Sequence, residues 1–153
     1  MENTYLNIID DFFTGSPFAL IDFKQKGNKG YLILEVYIDK RESFGIDEIA
    51  EVNRNLWKLL EVKNLDKGIL KIIVSSPGAE NPFKFFWQME KHIGRELELK
   101  LKNGEIVSGK LEEIIDAEKE EFQILKKDKK EIKSYKYLFG DLSGAKIKLS
   151  FKK

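Results

Sequence analysis

The sequence predicts an α+β chain of two domains: an α-β-β-α-β domain over residues 1–92, with helices on a three-stranded sheet, and a small five-stranded β-barrel over residues 93–153. Three observations predict it. Apolar residues recur at helical spacing in two segments of the first part. Short alternating segments separated by turn residues fill the second part. Gly94, a helix-breaking residue, stands where one pattern gives way to the other. Of the 153 residues, 42% are hydrophobic and 35% charged, which suits a packed chain rather than a disordered one.

The first helix is expected from Asn3 to Phe13, with Tyr5, Ile8, Ile9 and Phe12 on one face. FALIDFKQ and YLILEVYID then read as a hairpin joined through KGNKG, with Leu32, Leu34, Val36 and Ile38 alternating with Tyr31, Ile33, Glu35 and Tyr37. A helix over Ile46–Glu61 is expected to bury Ile46, Ile49, Ala50, Leu56, Trp57 and Leu60, a stripe that Asn53 interrupts. Gly68 opens a β-branched third strand, Ile69 to Ser75. Two of the three prolines follow at once, in VSSPGAENPF. Pro77-Gly78 ends the strand in a turn, and Asn81 is placed to cap a helix starting at Pro82 and ending at Gly94. Beyond it lie ELELKL, EIVSGKLEEII, EFQIL, EIKSY and AKIKLSF. Asn103-Gly104 signals a hairpin, and Gly109 permits a bend or bulge in the longest strand. So small a second domain buries only about 60% of its unfolded surface, so docking to the first would help it.

The net charge of +1 conceals a polarity. Residues 1–92 hold 12 bases and 14 acids, residues 93–125 hold 5 and 9, and residues 126–153 hold 10 and 3. The basic end suits phosphates, and the acidic segments suit a basic protein. No apolar run approaches the roughly 20 residues of a membrane-spanning helix. MENTYLNIIDDFF lacks the basic start of a secretory signal, and the absence of cysteine fits a reducing, cytoplasmic setting.

Little in the sequence supports catalysis, a metal or a cofactor. The sole histidine, His92, sits at an expected helix end, where capping or packing is its reading. No phosphate-binding glycine loop or nucleophile elbow occurs. Ser75 and Ser76 lack a neighbouring base motif and read as turn residues. Glu112, Glu113, Asp116, Glu118, Glu120 and Glu121 lack calcium-loop spacing and read as a solvated hairpin end. The functional candidate is KKDKKEIKSYK, Lys126 to Lys136. Lys126, Lys127, Lys129, Lys130 and Lys133 suit phosphates, and Tyr135 and Tyr137 suit either stacking on bases or the barrel core. A solubilising turn is the plainer reading of the same run.

Laid out in this way, the chain resembles the RimP family of bacterial ribosome maturation factors over nearly its whole length. The motif that carries most is Val74-Ser75-Ser76-Pro77-Gly78 followed by Pro82; VYID at 36–39, DEIAEVNRNL at 47–56, IGRELELKL at 93–101, Gly109 to Leu111 and LSGAKIKL agree in order. Asn81 stands where the family usually has arginine, Gly45 replaces a frequent threonine, and Lys146 a common arginine. The resemblance implies that the second domain is an Sm-like barrel and that the protein is a non-enzymatic assembly factor, a cytoplasmic monomer without cofactor. Its implied partner is the small ribosomal subunit or its precursor, through ribosomal RNA and a basic ribosomal protein. On this view Lys126, Lys127, Lys129, Lys130, Lys133, Lys146 and Lys148 are the expected RNA or ribosome contacts. Ser75, Ser76, Pro77, Gly78, Asn81 and Pro82 form a rigid loop between the domains. The alternative is an Sm-like RNA-binding protein acting outside ribosome assembly.

Overall fold

A computed structural model of the chain describes residues 4–78 and 81–148, in two units divided at Pro77/Gly78. The first contains helix α1 (Thr4–Phe13), strands β1 (Ala19–Asn28) and β2 (Tyr31–Asp39), helix α2 (Ile46–Val62) and strand β3 (Ile69–Ser75). The sheet runs β1-β2-β3, with β1 antiparallel and β3 parallel to the central strand. A parallel neighbour requires a crossover, and α2 supplies it. Alternation in β2 sends Leu34, Val36 and Ile38 into the core, all fully buried. They meet Ile9 and Phe13 of α1 and Val52, Leu56 and Leu60 of α2 in a single cluster.

The stripe of α2 differs from the expected one at its start. Ile46 is 83% exposed, and Val52 is buried in its place. Gly45 precedes the helix without a side-chain cap of its own; Ile49 N–H donates to Gly45 O (3.2 Å), and Glu48 of the first turn accepts from Lys40 Nζ (2.7 Å). Asn53, which breaks the apolar pattern, donates its Nδ2 to the carbonyl of Ile72 (2.9 Å) and so ties α2 to the edge strand β3. Asn53→Ala should therefore lower stability by about 1–2 kcal/mol, the usual cost of orphaning a partly buried carbonyl. Urea unfolding would read this as a lower midpoint at constant slope.

The second unit holds β4 (Glu96–Leu101), β5 (Ile106–Asp116), β6 (Glu121–Asp128), β7 (Glu131–Leu138) and β8 (Leu142–Ile147) in an antiparallel sheet ordered β7-β6-β5-β4-β8. Its core gathers Leu97, Leu99, Val107, Leu111, Phe122, Ile124, Ala145 and Ile147. Strands β7 and β8 lie at opposite edges, yet only the 3-10 turn Phe139–Asp141 connects them. Four steps of chain reach at most about 14 Å, whereas four strand spacings of a flat sheet measure roughly 19 Å. The sheet must curl. Strand β5 makes the turn, pairing through Ile106–Lys110 with β4 and through Lys110–Asp116 with β6. Among the described residues no ladder joins β7 to β8, so the expected closed barrel is observed as a curled five-stranded sheet. The end of the expected last strand, residues 149–151, lies outside the described residues.

Gly109 acts by close approach rather than as a bulge. A Cβ there would lie 2.8 Å from the Leu125 carbonyl oxygen, whereas the register shifts fall between Leu111 and Glu113 and between Ile114 and Asp116.

The helix expected from Asn81–Pro82 does not begin there. Phe83 donates its N–H to Ala145 O on β8 (2.8 Å), a strand-like contact that holds this segment extended. Only Phe86–His92 coils, as a 3-10 helix. Its entry is capped by the buried Gln88, whose Oε1 accepts from the N–H groups of Lys84 (2.8 Å) and Phe85 (2.9 Å). Phe86 and Met89 pack into the second core. Residues 78–92 thus group with the second unit, and the division falls at Pro77/Gly78 instead of at 92/93.

Candidate nucleic-acid interface

Strands β6 and β7 form a hairpin whose far end carries the lysine run. Register pairs Phe122 with Tyr137, Ile124 with Tyr135, Lys126 with Lys133 and Asp128 with Glu131. Because side chains alternate, these pairs occupy one face, which starts in the core at Phe122 and ends in solvent. The opposite face presents Gln123 with Lys136, Leu125 with Ser134 and Lys127 with Ile132. Lys129 and Lys130 make the turn between the strands, Lys129 at φ 60°, a conformation that few residues other than glycine and asparagine adopt readily. Residues 126–136 hold six lysines against two acids.

The lysines expected to contact RNA are therefore distributed over three aspects: Lys126 and Lys133 on the inner face, Lys127 on the outer, and Lys129 and Lys130 at the tip. All five are exposed. Among the described residues their ion pairing is sparse, with Lys133 Nζ 4.0 Å from a Glu131 carboxylate oxygen. Lys126 Nζ stands 5.9 Å from the Tyr135 ring centroid. The two tyrosines separate in role. Tyr137 is half-buried, 6.1 Å from Phe122, and desolvation pushes its hydroxyl pKa upward, with Glu105 and Tyr135 adding to the shift. It belongs to the core. Tyr135 is 38% exposed and free to meet a ligand.

Lys146 and Lys148 lie elsewhere, on β8 and just after it. Each faces an acid of β4. Lys146 pairs with Glu98 in register, 3.5 Å between charged atoms. Lys148 donates its N–H to Glu96 O (2.9 Å), which sets it beside that glutamate. The charge of Lys146 is locally offset, and neither lysine belongs to the hairpin cluster. The signal for these distinctions is period-2 alternation: counting outward from Phe122 and Ile124 assigns Lys126 to the inner face and Lys127 to the outer one.

After β3, Ser75 Oγ donates to Ser76 O (2.9 Å) and Asn81 N–H donates to Gly78 O (3.0 Å), with Pro82 exposed beyond. His92 stacks on Phe83, ring centroids 5.5 Å apart. In the acidic segment Asp116 Oδ1 accepts from the N–H groups of Glu118 and Lys119, the hydrogen bonding of a tight turn. Among the described residues no three histidine or acidic side chains converge as metal ligands, and no helix is long and apolar enough to cross a membrane.

Residues 8–80 match the family model described as the RimP N-terminal domain. Two similar proteins, each named Ribosome maturation factor RimP, come from the DP4 and Hildenborough strains of Nitratidesulfovibrio vulgaris. Each is 38% identical over 72 residues, which is 47% of this chain. The chain spans 42% of the length of these relatives.

Proposed function

We propose that the chain, whose residues 8–80 match the RimP N-terminal domain, is a RimP-family protein: a non-enzymatic, cytoplasmic ribosome maturation factor that binds the immature small ribosomal subunit as a monomer and assists its assembly. The observation that carries the RNA part of this reading is the β6–β7 hairpin, whose lysines project from the core with few acids to neutralise them. Such lysines bind phosphates without reading sequence and so orient the protein on RNA. The acids of residues 93–125 supply the opposite surface, suited to a lysine- and arginine-rich ribosomal protein.

The finer fold belongs to the same proposal. We take the curled sheet as an Sm-like barrel, because its last strand returns beside its first and a three-residue turn links its two edges. The units act as two domains, with Ser75 to Pro82 as the covalent link between them.

The test is sedimentation of the purified chain with small-subunit precursors across a salt series. Wild type is expected to travel with the particles. Glutamine at Lys126, Lys127, Lys129, Lys130 and Lys133 should flatten the slope of log affinity against log salt by about 1–4 units, at roughly 0.7–0.9 per phosphate lost. Wild type remaining at the top of the gradient would overturn the proposal.

A further inference from the structure

We infer that the inner face of the β6–β7 hairpin is a single-stranded RNA site, where Lys126 and Lys133 each take a phosphate and Tyr135 stacks on the adjoining base; this deepens, and rests on, the reading of the hairpin as an RNA contact. The argument begins with register. Lys126 stands directly opposite Lys133, and in the next row Asp128 stands opposite Glu131. Like charges directly opposed across a sheet destabilise it. Exchanging residues 131 and 133 would place a carboxylate opposite Lys126 and an ammonium opposite Asp128, giving two attractive pairs from the same composition. A hairpin serving only as a solvated turn has no use for the repulsive order. An anion held by the lysine row turns the repulsion into binding.

The occupant follows from the neighbouring row. Tyr135 lies one step further in on the same face, 38% exposed, with Lys126 Nζ near its ring. A phosphate beside an aromatic ring matches a nucleotide whose base is free to stack, which a duplex does not offer. The outer face has no such ring: Lys127 is opposite Ile132, and Lys136 is opposite Gln123.

The probe is a short oligouridylate, with a blunt RNA duplex as competitor, binding being followed by fluorescence anisotropy over a salt series. The exchange variant, Glu131→Lys with Lys133→Glu, has unchanged net charge. It should melt at a higher temperature than wild type yet bind more weakly, with a salt slope lower by about 0.7. Tyr135→Ala should weaken binding on the order of tenfold, and Tyr135→Phe should restore it. Lys127→Gln with Lys136→Gln, on the outer face, should weaken oligouridylate binding less than Lys126→Gln with Lys133→Gln, since lysines away from the stacked base act on it only through the screened field. The inference is overturned if the exchange variant keeps wild-type affinity and slope, if the outer pair matters as much as the inner, or if the duplex competes as well as the single strand. Oligouridylate binding that fails while co-sedimentation with small-subunit precursors persists would sink this site and leave the proposed function standing. Specific oligouridylate binding without co-sedimentation would do the reverse.

Discussion

Phe122→Ala is expected to destabilise the second unit severely and leave the first intact. Phe122 is fully buried, with the Phe86 and Tyr137 ring centroids 6.2 and 6.1 Å from its own. Truncating such a side chain costs about 3–5 kcal/mol, because transfer energy is lost and the cavity collapses only in part. A unit the size of Gly78–Lys153 holds roughly 4–11 kcal/mol in all, so the variant loses much or most of its margin. The first core shares no residue with the second. Calorimetry of the variant should then show the transition of the first unit at its wild-type temperature, with the other lowered or absent. Hydrogen exchange at Leu34, Val36 and Ile38 should stay slow. Equal loss of protection in both cores would show that the chain unfolds as one cooperative body.

Gly27→Ala should be nearly as damaging to the first unit. Gly27 sits in β1 at φ 89°, and a Cβ there would fall 2.3 Å from the Tyr31 carbonyl oxygen, a backbone atom at the start of β2. The backbone conformation alone costs an alanine about 1–2 kcal/mol. The clash adds a cost of the overpacking kind, about 1–3 kcal/mol, because the oxygen can retreat only by opening the turn. Gly30→Ala is the control: its φ of 91° is as demanding, but nothing lies within 4 Å of the added carbon. Denaturant unfolding of both variants separates the two costs. If Gly27→Ala were no worse than Gly30→Ala, the close approach would carry no energy.

Where the pattern was local, it was legible. The alternation of Tyr31 to Asp39 gave the central strand, the β-branched run at Ile72 to Val74 gave the third, and the glycines around residue 29 gave the hairpin. Helix α2 was legible as an element but not in its register at Ile46, where the first turn precedes the packed part of the stripe. What failed depended on distant residues. The helix expected at Pro82 yields to a hydrogen bond from Phe83 to Ala145, and nothing near Pro82 announces that partner. Gly109 read as a bend because its reason, the Leu125 carbonyl, lies on another strand. The candidate site shows the same limit. The lysine run was plain, and alternation separates Lys126 from Lys127, but the partner of each across the hairpin needed the β6–β7 register, and the acids opposite Lys146 and Lys148 needed the β4–β8 pairing.

The place of β8 in the sheet sets a timetable for synthesis. The elements of the first unit all lie within residues 4–75, so that unit can fold as soon as this stretch has left the ribosome. The second cannot complete its sheet so early. Strand β4, among the first to emerge, has β8 as one of its two neighbours, and residues 142–147 arrive only after every other strand of the sheet. Until then β4 waits with one edge open, and the loop-closure cost of joining it to β8 makes this the slow step. A chain stalled between β7 and β8 should thus carry a folded first unit and an unfinished, aggregation-prone second one, and the nascent chain would depend on chaperones most in that interval.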